Sequence, residues 1–209
     1  ENLRAPGGMG GRRLGVQPDA VRVVHGAVAA EALHPGRLSE PGLPAQAALL
    51  EVFAGQPLWC WCVAAGRQGP RGRRATPQPP AIKAVGQELG IPVLQPERLS
   101  HQDALTALLV HEPEVFVVCA YGQIVAQHVL DAVETIVVHP SLVPRWRGAA
   151  PVERALMAGE TELGVCVLKM TAGVDEGPVG DARRVHVPGD ADAGEVYELL
   201  APAAVKGVL

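Results

Sequence analysis

The chain has 209 residues, a formal net charge of −4 and 48% hydrophobic residues, values that suit one α/β domain with a buried core and argue against a disordered chain. The negative net charge excludes a protein that binds nucleic acid over its whole surface, although a local basic patch is compatible with it. No apolar run is long enough to cross a bilayer, so we expect no membrane association.

The cysteines are few and show no metal-binding pattern. The spacing of Cys60, Cys62, Cys119 and Cys166 matches no zinc site, and three of the four lie in apolar runs. We therefore expect buried free thiols in a reducing compartment and no metal site.

The predicted elements alternate along the chain. Residues 1–20 are rich in glycine and arginine without apolar periodicity, and we predict a flexible leader there. In residues 21–209 we predict strands at 21–24, 58–63, 91–94, 115–120, 136–138, 165–170 and 185–187. We predict helices at 43–53, 81–89, 102–110, 124–133, 152–158 and 192–209, the last broken or kinked at Pro202. This alternation predicts a doubly wound, mostly parallel sheet.

A basic loop spans residues 64–80. Four arginines alternate there with glycine and proline: Arg67, Arg71, Arg73 and Arg74. Exposed guanidinium groups on a loop that can change shape suit contact with nucleic-acid phosphates. The alternative is a solvated loop whose arginines have no ligand.

A second candidate site follows the predicted strand at 136–138. His139 ends this strand, and ligands of open α/β sheets bind beyond the carboxyl ends of strands. Pro140 and Pro144 restrict the backbone of the exit loop, from which Arg145 and Arg147 project. Such a loop suits an anionic ligand. The alternative is a histidine at a strand end covered by a surface loop.

Residues 139–151, HPSLVPRWRGAAP, closely resemble the signature loop of the methionyl-tRNA formyltransferase family. The resemblance continues in KMTAGVDEGP at 169–178 and extends back through AYGQ at 120–123 and IPVLQP at 91–96. These segments span most of residues 59–209, and as an ordered set they are highly specific. The resemblance implies a Rossmann-like formyltransferase fold and a cytoplasmic, monomeric enzyme without a metal ion. The implied reaction transfers a formyl group from 10-formyltetrahydrofolate to initiator methionyl-tRNA for translation initiation.

The family's catalytic set is Asn-x-His with a later aspartate. By resemblance, His139 occupies the histidine position and Asp175 the aspartate position. A carboxylate beside an imidazole fixes the orientation of the ring. Taken alone, Asp175 could equally be a turn residue ahead of Gly177 and Pro178.

The asparagine position of this set holds Val137, which is a departure from the family. Valine offers no hydrogen-bond donor for the formyl oxygen, and the only asparagine in the chain is Asn2. Loss of one oxyanion donor costs on the order of 10²–10³ in rate. We therefore expect the fold and the folate site to be retained and the transfer activity to be impaired.

The resemblance also implies substrate contacts. Folate would contact Gln95, Pro96, Tyr121, Gly122, Ser141, Leu142, Val143 and Pro144, in part through backbone groups. The alternative for Tyr121 is an aromatic plug at a strand end. The acceptor arm of the tRNA would contact Arg67, Arg71, Arg73, Arg74, Arg145 and Arg147.

Two further departures leave other functions open. The family has a Gly-Thr-Pro turn after its first strand, where this chain has His25, Gly26 and Ala27. The family continues into a small β-barrel domain that we expect to be absent here, because the chain is either a fragment or a natural short form. The rival functions are a formyltransferase for a sugar or nucleotide amine and a catalytically impaired folate- or RNA-binding module.

Overall fold

The computed structural model describes residues 23–28, 43–54, 61–65, 69–70, 77–78, 81–96, 98–110, 112–122 and 124–209. The predicted leader and all four arginines of the basic loop lie outside these ranges. The strands are β1 (Val23–Val28), β2 (Trp61–Ala65), β3 (Gly69–Pro70), β4 (Pro77–Gln78), β5 (Val93–Leu94), β6 (Val115–Cys119), β7 (Glu134–His139), β8 (Glu162–Lys169) and β9 (Val179–His186).

Seven of these strands form one mixed sheet in the order β5-β2-β1-β6-β7-β8-β9. Every pair from β5 to β7 is parallel, whereas β8 and β9 are added antiparallel at one edge. The two-residue strands β3 and β4 pair with each other on either side of residues 71–76. The predicted doubly wound, mostly parallel sheet is confirmed.

Helices cover both faces of the sheet. They are α1 (Leu43–Ala54), α2 (Ala81–Glu88), α3 (Gln102–Leu109), α4 (Gln127–Ala132), α5 (Pro151–Met157) and α6 (Ala193–Val208). The first core cluster joins α1, α2, α5 and α6 to one face, and Val138 lies in it. The second core cluster joins α3 and α4 to the other face, where Phe116 and Val118 lie. Because both faces are buried, β6 and residues 136–138 of β7 are continuous apolar runs rather than alternating ones.

The predicted boundary of β9 is wrong because the strand lies at the edge of the sheet. It covers eight residues instead of the three predicted. Asp181, Arg183 and Arg184 lie along it, and its residues are exposed or half-buried throughout. Charged side chains are typical of edge strands, where they oppose pairing with another chain, and they removed the apolar signal on which the prediction depended.

The terminal helix is predicted to be broken or kinked at Pro202, and it is not broken there, since α6 continues through the proline. Proline removes one hydrogen bond, the one to the carbonyl four residues earlier. That carbonyl belongs to Glu198, which is exposed, so water can replace the lost donor. Ala203 and Ala204 are buried beyond the proline and hold the second half of the helix against the sheet.

The thiols that the structure describes agree with the prediction. Cys119 and Cys166 are free and buried, and burial raises the pKa of Cys119 to about 12, which makes it unreactive. Cys60 and the side chain of Cys62 lie outside the described residues. In the described part of the chain, no helix has the length and apolar character needed to cross a membrane.

The sheet contains a switch point between β1 and β6, where the chain crosses from one half of the sheet to the other. In open α/β sheets, such points open a ligand crevice at the carboxyl ends of the strands. Gln46 of α1 is 3% exposed, and its amide donates a 2.8 Å hydrogen bond to the carbonyl of Cys119 at this point. The next residue, Ala120, has a φ of 50° and redirects the chain away from β6.

Candidate active site

His139 is the last residue of β7 and is 5% exposed. Side chains alternate between the two faces along a strand. Val138 belongs to the first core cluster, whereas Val137 packs against the second. Val137 and His139, two residues apart, therefore project from the same face.

Asp175 reaches His139 from the β8–β9 connection, residues 170–178. This connection begins after Lys169, which pairs with Ile136 near the start of β7. The Oδ2 atom of Asp175 nevertheless lies 3.4 Å from Nδ1 of His139, with the two side chains 14% and 7% exposed. The connection therefore folds back toward the carboxyl end of β7. Asp175 has a φ of 51°, so it also serves as the turn residue of the alternative interpretation.

The β8–β9 connection is tight at its base. The main-chain nitrogen of Lys169 donates to the carbonyl of Pro178 at 3.0 Å. A Cβ atom on Gly177 would lie 1.8 Å from the carbonyl oxygen of Lys169. Only glycine allows this close approach, so Gly177 determines the path that brings Asp175 to the histidine.

Gly148 of the signature loop holds the aspartate in place. Its main-chain nitrogen donates a 2.8 Å hydrogen bond to Oδ2 of Asp175, the same oxygen that faces His139. Gly148 has a φ of 80°, a conformation that glycine adopts without a steric cost. The signature loop and the β8–β9 connection are thus hydrogen bonded to each other at the histidine.

The other ring nitrogen of His139 faces the main chain. Nε2 lies 3.0 Å from the carbonyl oxygen of Trp146. A carbonyl oxygen can only accept, so Nε2 carries the hydrogen in this hydrogen bond. Both nitrogens of the ring therefore face oxygen acceptors.

The predicted folate residues of the signature loop divide into two groups. Ser141 is 2% exposed, and its hydroxyl donates to the carbonyl of Arg145 at 2.8 Å, so it shapes the loop itself. Leu142 and Val143 are half-buried and Pro144 is exposed. A Cβ atom on Gly164 of β8 would lie 2.5 Å from Cδ2 of Leu142. Because glycine has no side chain, Leu142 can pack directly against the backbone of β8.

The remaining predicted folate residues lie at the same edge of the sheet. Gln95 and Pro96 follow β5, and Tyr121 and Gly122 follow β6. β5 and β7 are four strand spacings apart in the sheet order, or roughly 20 Å, so Gln95 is not adjacent to His139. Tyr121 packs against the second core cluster, as Val137 does. Burial raises the pKa of Tyr121 to about 12, opposed by a hydrogen bond with the Leu99 backbone, so its hydroxyl is uncharged near neutral pH.

Arg145 and Arg147 are the predicted tRNA-binding residues that the structure describes. Arg145 forms a salt bridge with Glu160, and its side chain is 63% exposed. An Nη1 atom of Arg147 lies 3.9 Å from a carboxylate oxygen of Glu176, and its side chain is 41% exposed. Both guanidinium groups are therefore reachable from solvent beside the histidine.

Four groups at the site were missed by the sequence analysis. They are the carbonyl of Trp146, the main-chain nitrogen of Gly148, the backbone space at Gly164 and the side chain of Gln46. A glycine inside the apolar run of β8 was a usable signal for close packing. The two main-chain groups could not be predicted from residue type.

Within the described ranges, no three or more His, Cys, Asp and Glu side chains form a group that could hold a metal ion.

The sequence of this chain is similar to those of known formyltransferases. The profile of the family described as "Formyl transferase" matches residues 58–209. Methionyl-tRNA formyltransferase of Idiomarina loihiensis is 44% identical over 145 residues, covering 67% of this chain and 46% of that protein. The methionyl-tRNA formyltransferase of Xanthomonas campestris pv. campestris (strain 8004) is 44% identical over 137 residues, covering 65% of this chain and 44% of that protein. The chain therefore spans less than half the length of these curated relatives.

Solved structures agree on the fold. Phosphoribosylglycinamide formyltransferase from Streptococcus pneumoniae TIGR4 superposes with a TM-score of 0.65 at 21% identity, covering 90% of this chain and 94% of that chain. The enzyme of the same name from Anaplasma phagocytophilum gives a TM-score of 0.67 at 19% identity, covering 90% and 84%. At such identities the likeness shows the fold alone. The family profile covers most of the chain and confirms the resemblance found in the motifs, so the chain belongs to the formyl transferase family.

Proposed function

We propose that this protein transfers a formyl group from 10-formyltetrahydrofolate to the amino group of initiator methionyl-tRNA. The observation that carries the proposal is the 3.4 Å approach of Asp175 to His139 at the carboxyl end of β7. Two residues from separate segments meet there with little exposure, as a catalytic pair requires. Curated relatives named methionyl-tRNA formyltransferase, 44% identical, support the choice of acceptor.

The proposed reaction is acyl transfer between two nitrogens. The amine nitrogen bonds to the formyl carbon, and the bond from that carbon to the folate nitrogen breaks. The attacking amine must be neutral, and a free α-amino group has a pKa of about 8. The amine loses a proton and the folate nitrogen gains one. His139 is proposed to mediate this exchange through Nδ1, because the hydrogen on Nε2 is directed at the carbonyl of Trp146, and Asp175 is proposed to stabilise the ring once Nδ1 has taken the proton.

The folate is proposed to bind along the carboxyl edge of the sheet. Leu142, Val143 and Tyr121 supply apolar surface, and exposed backbone near Gln95, Pro96, Gly122 and Pro144 supplies directional contacts. Ser141 supports this site by shaping the loop, since its hydroxyl is already bonded to the carbonyl of Arg145. No metal ion takes part in the proposal.

The tRNA is proposed to bind through arginines on two segments. Arg145 and Arg147 lie beside the histidine with exposed guanidinium groups. Arg67, Arg71, Arg73 and Arg74 lie outside the described residues. Residues 21–209 would form the catalytic domain, acting as a cytoplasmic monomer.

Val137 favours a second candidate function, a folate- or RNA-binding module with weak transfer activity. It shares a face with His139 and presents methyl groups where the family has an amide. The charge that develops on the formyl oxygen would then lack one hydrogen-bond donor, at a cost on the order of 10²–10³ in rate.

A formylation assay decides between these functions. Single-turnover transfer to charged initiator tRNA is measured together with calorimetric binding of the folate. We expect slow transfer and intact folate binding. Folate binding without any transfer selects the module, and loss of both contradicts the proposal. Faster formylation of a sugar or nucleotide amine than of methionyl-tRNA would favour the rival function, a formyltransferase for such amines.

A further inference from the structure

The contact between His139 and Trp146 depends on an unusual backbone conformation. Trp146 has a φ of 59°, in the left-handed region that bulky residues rarely adopt. This conformation directs its carbonyl toward Nε2 of His139, at 3.0 Å. Such residues stay in place only when their surroundings hold them. The side chain of Trp146 is therefore expected to be anchored.

Two guanidinium groups provide that anchor together with the core. The indole is half-buried and packs against the first core cluster. The guanidinium carbons of Arg145 and Arg154 lie over the ring, 5.4 Å and 5.8 Å from its centroid. Both distances fall within the range of about 6 Å in which a cation is attracted to an aromatic face.

Both arginines are themselves held in place. Arg154 of α5 donates hydrogen bonds to the carbonyls of Arg147 and Ala150, which ties the helix to the signature loop just after Trp146. Arg145 forms a salt bridge with Glu160, beyond the end of the same helix. We call Trp146, Arg145, Arg154 and Glu160 the tryptophan clamp.

We propose that Trp146 is a positioning residue for His139, and this inference rests on the proposed function. Within the tryptophan clamp, the arginines hold the indole of Trp146, and the carbonyl of Trp146 keeps the hydrogen on Nε2 of His139. With Nε2 held there, Nδ1 is directed at Asp175, so the ring lies between a main-chain carbonyl and a carboxylate. Among contacts to the described residues, no other hydrogen bond to the ring nitrogens occurs.

Nuclear magnetic resonance of the imidazole nitrogens tests the proposal without any need for activity. The parent is compared with Trp146→Ala, which removes the anchor, and Trp146→Phe, which keeps an aromatic face for the arginines. Met157→Ala is the control, because Met157 lies on α5, as Arg154 does, and is 88% exposed. We expect a slowly exchanging Nε2–H signal of His139 in the parent, in Met157→Ala and in Trp146→Phe, and its loss in Trp146→Ala.

The rate of formyl transfer provides a second readout. Displacement of a reacting group by about 1 Å can cost on the order of 10²-fold in rate. We expect Trp146→Ala to lower the single-turnover rate by about 10–100-fold with the KM for folate unchanged, and Trp146→Phe to recover most of it.

Each outcome supports or overturns the proposal. A folded Trp146→Ala variant that keeps the Nε2–H signal overturns it, whatever its rate. If that variant does not fold, Arg154→Lys replaces it, because lysine keeps the charge but loses the planar group that contacts the ring. An unchanged Nε2–H signal in folded Arg154→Lys would then overturn the proposal. If the parent shows no formyl transfer, the proposed function fails while the resonance measurement still decides the role of Trp146.

Discussion

The two sides of the His139 ring are held by different kinds of structure. On the Nδ1 side, a carboxylate arrives from the β8–β9 connection, far away in sequence. On the Nε2 side, the partner is a main-chain carbonyl only a few residues further along the chain. The first contact depends on the identity of one side chain, and the second on the conformation of a loop. A substitution therefore removes the first directly, but it reaches the second only through whatever anchors the loop.

Gly148 couples these two sides. It follows Trp146 closely, and its main-chain nitrogen binds the same carboxylate oxygen that faces the histidine. A change of loop conformation on the Nε2 side would therefore also release Asp175. The histidine is therefore held by one connected arrangement, although its two contacts have separate origins in the sequence.

The largest effect on the rate is expected from removing the imidazole ring of His139 or changing its partner on the Nδ1 side, Asp175. His139→Ala should lower the single-turnover rate by about 10²–10⁴-fold, the usual range for a general acid or base. Asp175→Asn keeps the shape of the side chain but removes its charge, and it should cause a large part of the same decrease in rate. The proposed mechanism has the two residues act together, so the double variant should be little slower than His139→Ala.

The control for this cycle is Asp190→Asn, which changes an exposed aspartate. If the rate loss of the double variant equalled the product of the losses of the two single variants, Asp175 would only shape its turn.

A gain of activity is expected at Val137, on the same face of β7 as the ring. Val137→Asn supplies a donor for the formyl oxygen and should raise the rate by about 10–10³-fold. Val137→Ala is the matched control, since it removes methyl groups without adding a donor. The amide at this half-buried position should lower the free energy of unfolding by about 1–3 kcal/mol if it finds no partner. A folded Val137→Asn variant no faster than the parent contradicts the assigned position.

The path of the β8–β9 connection can be disrupted without replacing His139 or Asp175. Gly177→Ala places a methyl group against the carbonyl of Lys169 and should lower the free energy of unfolding by about 1–3 kcal/mol. The rate should fall with it, because Asp175 moves away from the ring. Gly189→Ala is the control, since a Cβ atom there meets nothing within 4 Å. Chemical denaturation measures both, and equal stabilities would contradict the tight packing.

The smallest effect on the rate of the chemical step is expected from changes in the basic loop, which is proposed to contact tRNA and not the His139 ring. Replacing Arg71, Arg73 and Arg74 by alanine should weaken tRNA binding and lower the slope of log affinity against log salt by about one per lost phosphate contact. Folate binding and the rate at saturating tRNA should not change. Arg184→Ala is the control, because this arginine is exposed on β9 and pairs with Glu162. Unchanged tRNA affinity across a salt series would remove the loop from the binding site.

The sequence by itself determined the family, the fold class and the identity of the central histidine. Apolar runs that alternate with helical patterns are enough to indicate a doubly wound sheet, because both faces of its strands are buried. His139 and Asp175 were recognisable since each lies in a contiguous motif. The predicted boundary failed where burial was weak, in the charged edge strand β9, whereas packing carries α6 past Pro202 without a break.

Only the tertiary structure decided how the histidine is held. The β8–β9 connection leaves the sheet near the start of β7, and the backbone space at Gly177 lets it return to the carboxyl end. The carbonyl of Trp146 and the main-chain nitrogen of Gly148 carry no residue-specific signal, because every residue except proline has both groups. Their direction follows from left-handed backbone angles and from an indole held by arginines on two segments. Such contacts depend on distances between segments, which a linear sequence does not contain.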